Sequence, residues 1–157
     1  MTPSESVLQL WRAFQVSGQV ASQRYRICYF GDNQDDADGL VAMVLAGTKQ
    51  ATASALWAHE ADGEPIPAEG DLAVVTNWAG VAQCVIRTTS AAVVAYNEVT
   101  PVFAAIEGEG DLSLSYWKTV HWPYFSREMN RIGREMTETI PIVCHQFELV
   151  YSSSQPA

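Results

Sequence analysis

Lys49 and Thr52 lie three residues apart in LAGTKQATAS, and Lys49 is one of only two lysines in the chain. An amine beside a hydroxyl is a possible base and nucleophile, because a hydroxyl is inert until a neighbour takes its proton. A lysine fills that role only where burial favours its neutral form. Geometry sets a further condition. In an extended segment Lys49 and Ala51 point one way while Gln50 and Thr52 point the other. The amine and the hydroxyl therefore meet only if the chain bends or twists between them. The plain alternative is a surface lysine beside a threonine. A second candidate is Ile106-Glu107-Gly108-Glu109-Gly110-Asp111. A carboxylate at a helix end, followed by glycines that let backbone approach a ligand, would make a pocket wall. Acidic-glycine turns are also common without any ligand.

The elements that must carry these residues are legible as patterns. Thr2-Pro3-Ser4-Glu5 reads as a helix start with Thr2 as N-cap, followed by Val7, Leu8, Trp11 and Phe14 at helical spacing over residues 3–17. YRICYF, residues 25–30, reads as a strand. Asp35, Asp36 and Asp38 suit the N-terminus of a helix that Gly47 should end, and TKQATAS reads as extended. ADGEPIPAEGD is loop chemistry. DLAVVTN and VAQCVIRTTS read as two strands, with AAVVAY as a candidate third. NEVTPVFAAI should form a short helix, and a longer helical pattern runs from Leu112 to Ile132, with Pro123 expected to kink or break it. IVCHQFELVY is the last strand, and residues 152–157 are expected to fray. Strands flanked by helices without strict alternation predict an α+β class, with several antiparallel strands closing toward a barrel. One domain, 1–157, accounts for the pattern.

Composition narrows the function classes. The net charge is −9. Proteins that grip long nucleic acids usually show a basic footprint, because phosphate neutralisation supplies much of that affinity. This balance disfavours RNA and favours a small ligand, although Arg127, Arg131 and Arg134 would share a helix face. Cys28, Cys84 and Cys144 sit in separate apolar runs, which argues against a disulfide framework or a zinc site. The histidines, His59, His121 and His145, are scattered. No metal and no cofactor are expected. With no membrane-length apolar run and no signal-peptide pattern, the chain reads as soluble and cytoplasmic, a monomer or homodimer.

The two chemical segments together resemble the ASCH domain family. Gly47, Lys49 and Thr52 match its G-x-K-x-x-T-like entry, and Ala104, Glu107 and Gly108 match its A-x-x-E-G segment. GDLAVV and the aromatic HWPYFSRE are similar too, so the resemblance spans about residues 25–151. It implies a PUA-like mixed or antiparallel β-barrel flanked by helices, with a cleft facing RNA or nucleosides. Small members are amidohydrolases that deacylate N4-acylated cytidine, and the resemblance maps their catalytic set to Lys49, Thr52 and Glu107. Larger members are linked to ribonuclease activity or RNA binding, the alternative use of the same cleft. Ala53-Ser54 stands where many relatives place an arginine, a departure that bears on substrate contacts. Two assignments stay open: Lys49 as base for Thr52, or Glu107 as base with Lys49 as a cation facing the oxyanion. Aromatic residues would supply base stacking, worth about 1–3 kcal/mol per base. Tyr29, Trp117, Tyr124 and Phe125, with Ser126 for a polar contact, are the expected substrate contacts.

Overall fold

The computed structural model describes residues 3–18 and 24–152. The Thr2 cap and residues 153–157 lie outside the described residues. Five helices and five strands follow in the order α1 (Glu5–Gly18), β1 (Arg26–Cys28), α2 (Gln34–Ala46), β2 (Ala51–Ala55), α3 (Leu56–Asp62), β3 (Leu72–Thr76), β4 (Ala82–Ala95), α4 (Pro101–Glu107), α5 (Leu114–Arg131) and β5 (Pro141–Ser152). The strands form one mixed sheet in the order β1-β3-β4-β5-β2. The β1–β3 pair is parallel, while β3–β4 and β2–β5 are antiparallel.

The chain divides into two compact units, each built from separate stretches. The first comprises Met1–Gly47, Gly70–Arg87 and Glu148–Ala157. Within it, α1 buries Val7, Leu10, Trp11 and Phe14 against Val74, Ala82 and Val85. Each such side chain contributes roughly 1.5–3 kcal/mol when withdrawn from water. Leu8, expected on that stripe, is instead 43% exposed, because Leu10 and Trp11 occupy the inward arc. Ser4 Oγ accepts from the Val7 N–H at 3.3 Å and caps the helix start. Asn33 caps α2 by accepting from the Asp36 N–H, and Gly47, at φ 83°, ends it.

The second unit comprises Thr48–Glu69 and Thr88–Phe147. Its core joins Ala51, Ala53 and Ala55 of β2 to Phe103, Ala104, Trp117, Phe125, Met129 and Ile142. Three sequence expectations change here. The segment 56–62 is a helix, α3, although Ala55 offers it no side-chain cap. VAQCVIRTTS and AAVVAY are one 14-residue strand, β4, since no turn residue interrupts them. Pro123 does not break α5. Its ring and Thr119, whose carbonyl loses a helical partner, both lie on the exposed face, so the unpaired carbonyl is not buried.

Candidate functional site

The site lies within the second unit, where the lead-in to β2 meets the end of α4. Gln50 donates its N–H to Ile106 O at 3.0 Å and accepts from Phe147 N–H at 3.0 Å, so the backbone enters β2 already extended. Thr100 caps α4 by accepting from the Phe103 N–H, and Glu107 is the last residue of that helix. Gly108 follows at φ 77° and lies tight against the β2 lead-in. A Cβ there would stand 1.9 Å from Thr48 O, so no side chain fits without backbone movement. The glycine thus permits a close approach, but to the chain's own Thr48 rather than to a ligand.

Lys49 is 1% exposed and Glu107 is 1% exposed. The Lys49 ammonium donates to Glu107 Oε1 at 3.2 Å and to Glu109 Oε2 at 3.2 Å. The second oxygen of Glu107 accepts from the Trp117 indole N–H, and His121 Nε2 lies 3.4 Å from it. Trp117 and His121 stack at 4.2 Å, one helical turn apart on α5. His121 Nδ1 faces the Trp117 carbonyl at 2.9 Å, so it is a donor. Nε2 faces the Glu107 carboxylate, an arrangement that favours the protonated ring.

These contacts divide the acidic groups. Burial alone would raise the Glu107 pKa, but Lys49, His121 and the Trp117 N–H outweigh it and hold the carboxyl down at about 2. Glu109 moves upward, because burial and the neighbouring Glu107 charge exceed the pull of Lys49 and His121. His121 is raised as well: burial opposes its charge, but the Glu107 hydrogen bond and the two carboxylates prevail. Glu107 is therefore a fixed anion and Glu109 is the carboxyl that more readily holds a proton.

Of the three expected catalytic residues, the fold joins Lys49 and Glu107 but not Thr52. β2 alternates, with Ala51, Ala53 and Ala55 buried in the core that contains Trp117 and with Thr52 and Ser54 half-buried between them. Thr52 pairs with His145 on the opposite face. Among the described residues, no hydrogen bond links its hydroxyl to Lys49 or Glu107. The chain does not bend between residues 49 and 52, which is what their meeting required.

The expected substrate contacts also separate. Trp117 is 2% exposed and spends its N–H on Glu107, so it positions the carboxylate. Phe125 is fully buried core, which removes it as a stacking surface in a cleft. Tyr124 is half-buried and edge-on to Phe125. Ser126 donates its hydroxyl to Trp122 O at 2.7 Å, a bond within its own helix. Tyr29 belongs to the first unit, where it meets Trp78 edge-on at 5.2 Å. Glu109 and His121 were missed as site residues. A carboxylate repeated two residues after Glu107 was the available signal for Glu109. His121 reads in sequence as one more member of the α5 apolar stripe.

Glu107, Glu109 and His121 present ligand-type atoms within 4.8 Å of one another. The Lys49 ammonium lies 3.2 Å from both carboxylates and already provides the positive charge that a metal ion would bring. The three acidic and imidazole groups are thus gathered around one amine. The turn that carries Glu109 is also unusual in its backbone. Gly108, Gly110 and Leu112 all have positive φ, and Leu112 at φ 70° is the one non-glycine. Such a residue costs of order 1–3 kcal/mol, which the surrounding contacts must offset.

Comparison with known proteins agrees with this architecture. The ASCH domain model matches residues 26–151. No curated protein matches the chain. The crystal structure of an ASCH domain from Lactobacillus crispatus JV V101 superposes with a TM-score of 0.85 at 34% identity, covering 96% of this chain and 98% of that one. Protein EF3133 from Enterococcus faecalis V583, of family model DUF984, superposes with a TM-score of 0.87 at 26% identity, covering 94% and 90%. The α+β class and the PUA-like assignment expected from sequence are borne out. The chain belongs to the ASCH domain family.

Proposed function

We propose that this protein is an amidohydrolase that removes the acyl group from N4-acylated cytosine compounds. The observation that carries this reading is the Lys49 amine, withdrawn from water and held at 3.2 Å by each of two carboxylates, at positions where the family motifs fall. Of the two assignments left open by sequence, the geometry favours the cationic lysine. Its amine already donates to two carboxylates, and a positive charge next to a developing oxyanion stabilises it. Thr52 faces away from the pair, so water is the nucleophile in this reading. The charge of −9 agrees with a small substrate, since the protein's field opposes approach of a polyanion.

Incubation of the purified protein with N4-acetylcytidine, followed by chromatography for cytidine, tests the proposal. Wild-type protein is expected to release cytidine, and Lys49→Ala to lose at least about 100-fold in kcat/KM, as removal of an oxyanion partner does elsewhere. Intact substrate with the wild type, or undiminished turnover by Lys49→Ala, overturns it. A salt-sensitive shift of single-stranded RNA at low ionic strength, with no cytidine released, would move the reading to RNA binding.

A further inference from the structure

We infer that Glu109, rather than Glu107, is the group that exchanges a proton with the substrate, an inference that rests on the amidohydrolase reading. The two carboxylates differ in hydrogen bonding and in access to water. Glu107 is 1% exposed, and both its oxygens are engaged, Oε1 by Lys49 and Oε2 by Trp117 and His121. With three donors on its two oxygens and 1% exposure, Glu107 meets its partners and almost no water. Glu109 shares the same lysine through Oε2 but is 14% exposed. Its Oε1 has no hydrogen-bond partner among the described residues. It is the member of the cluster that combines contact with Lys49, access to solvent and an uncommitted oxygen.

The backbone supports the same division. Glu107 ends a helix, whereas Glu109 sits in a turn whose residues 108, 110 and 112 all adopt positive φ. A Cβ at Gly110 would lie 2.5 Å from the Tyr116 ring, so that side chain closes over the turn. The turn is thereby held in one unusual conformation, with Glu109 beside the amine. The charged groups facing Glu109 are Lys49, Glu107 and His121. Burial and the Glu107 anion favour its protonated form, which equips it to hold a proton between two steps.

Water attacks the acyl carbon, and its proton passes to Glu109 Oε1 as the C–O bond forms. The oxyanion that results forms beside Glu109 and is stabilised through space by the charge of buried Lys49. The C–N4 bond breaks, Glu109 returns its proton to N4, and cytidine leaves with its amino group restored. The carboxylic acid product loses its proton to solvent. Glu107 stays ionised throughout and holds Lys49 in place.

The test compares wild type, Glu109→Gln and Glu109→Asp for kcat and KM across pH with N4-acetylcytidine, alongside a 13C titration of the side-chain carboxyls. Glu109→Gln is expected to lower kcat by about 100-fold or more with KM within about threefold, and to abolish the acid limb of the kcat profile. Glu109→Asp keeps a carboxylate and should retain that limb at reduced rate. The titration should place Glu109 above Glu107. Retention of kcat and of an unmoved acid limb in Glu109→Gln overturns the role of Glu109 while leaving the amidohydrolase reading standing. Absence of turnover by the wild type removes both. Loss of folding in Glu109→Gln transfers the decision to Glu109→Asp, where disappearance of the acid limb counts against the role.

Discussion

Two groups of charges in the second unit use the same chemistry in opposite surroundings. Around Lys49, an amine, two carboxylates and an imidazole meet with almost no solvent contact. Around Arg131, a guanidinium reaches both oxygens of Asp62 at 2.9 and 3.0 Å and also Glu128, yet Arg131 is 46% exposed and Asp62 42%. The Arg131 geometry is the better of the two, bidentate and with shorter contacts. By hydrogen-bond quality alone it should matter more. Solvent reverses that ranking, since exposed pairs are screened while buried ions have no substitute partner when one is removed. Exposed Arg131 joins α3 to α5. Buried Lys49 sets up a reactive corner whose members depend on one another.

The sharpest way to break the contrast is Glu107→Ala. It leaves the Trp117 N–H unpaired in the interior and takes from Lys49 one of its two carboxylates, so a loss of about 3–5 kcal/mol is expected from urea unfolding, together with loss of activity. A loss below about 1 kcal/mol would mean that water enters the corner freely. Next comes the dependence of stability on pH. Glu107 is depressed in the folded state, so its contribution is present above the ordinary value of 4.5 and is lost as pH falls toward about 2. His121 is raised, so its contribution is present below 6.5 and is lost as pH climbs through its folded value. His121→Gln should cost about 1–3 kcal/mol at pH 6 and progressively less at higher pH. A cost independent of pH between 6 and 9 would remove the imidazolium from the account. The smallest effect belongs to Arg131→Ala, expected to change stability by about 0–1 kcal/mol, with the difference shrinking in 0.5 M salt.

What could be seen beforehand follows the reach of each signal. The α2 boundary was legible because Gly47 and the acidic first turn act locally. α3 was not, since its seven residues carry neither a side-chain cap nor a long stripe. The union of Lys49 with Glu107, 58 residues apart, came through motif resemblance rather than pattern. Thr52 is the instructive case. The two-residue period of a strand already turned it from Lys49, and the structure kept that period, with Gln50 bonded on both sides. His121 stayed hidden because its partner, Glu107, lies on a different helix. A titratable side chain within an aromatic stripe looks like packing until a second element arrives.

The contact between Gly108 and Thr48 has a mechanical meaning. Two stretches of main chain touch with no side chain to act as a spacer, and the Gln50–Ile106 hydrogen bond fastens them again two residues later on one segment and two residues earlier on the other. The segment that bears the amine and the segment that bears the carboxylates are thereby riveted into one stiff plate. Adjustment to an incoming ligand has to come from side-chain rotation, because the distance between the two main chains is set by the van der Waals radii of their own atoms.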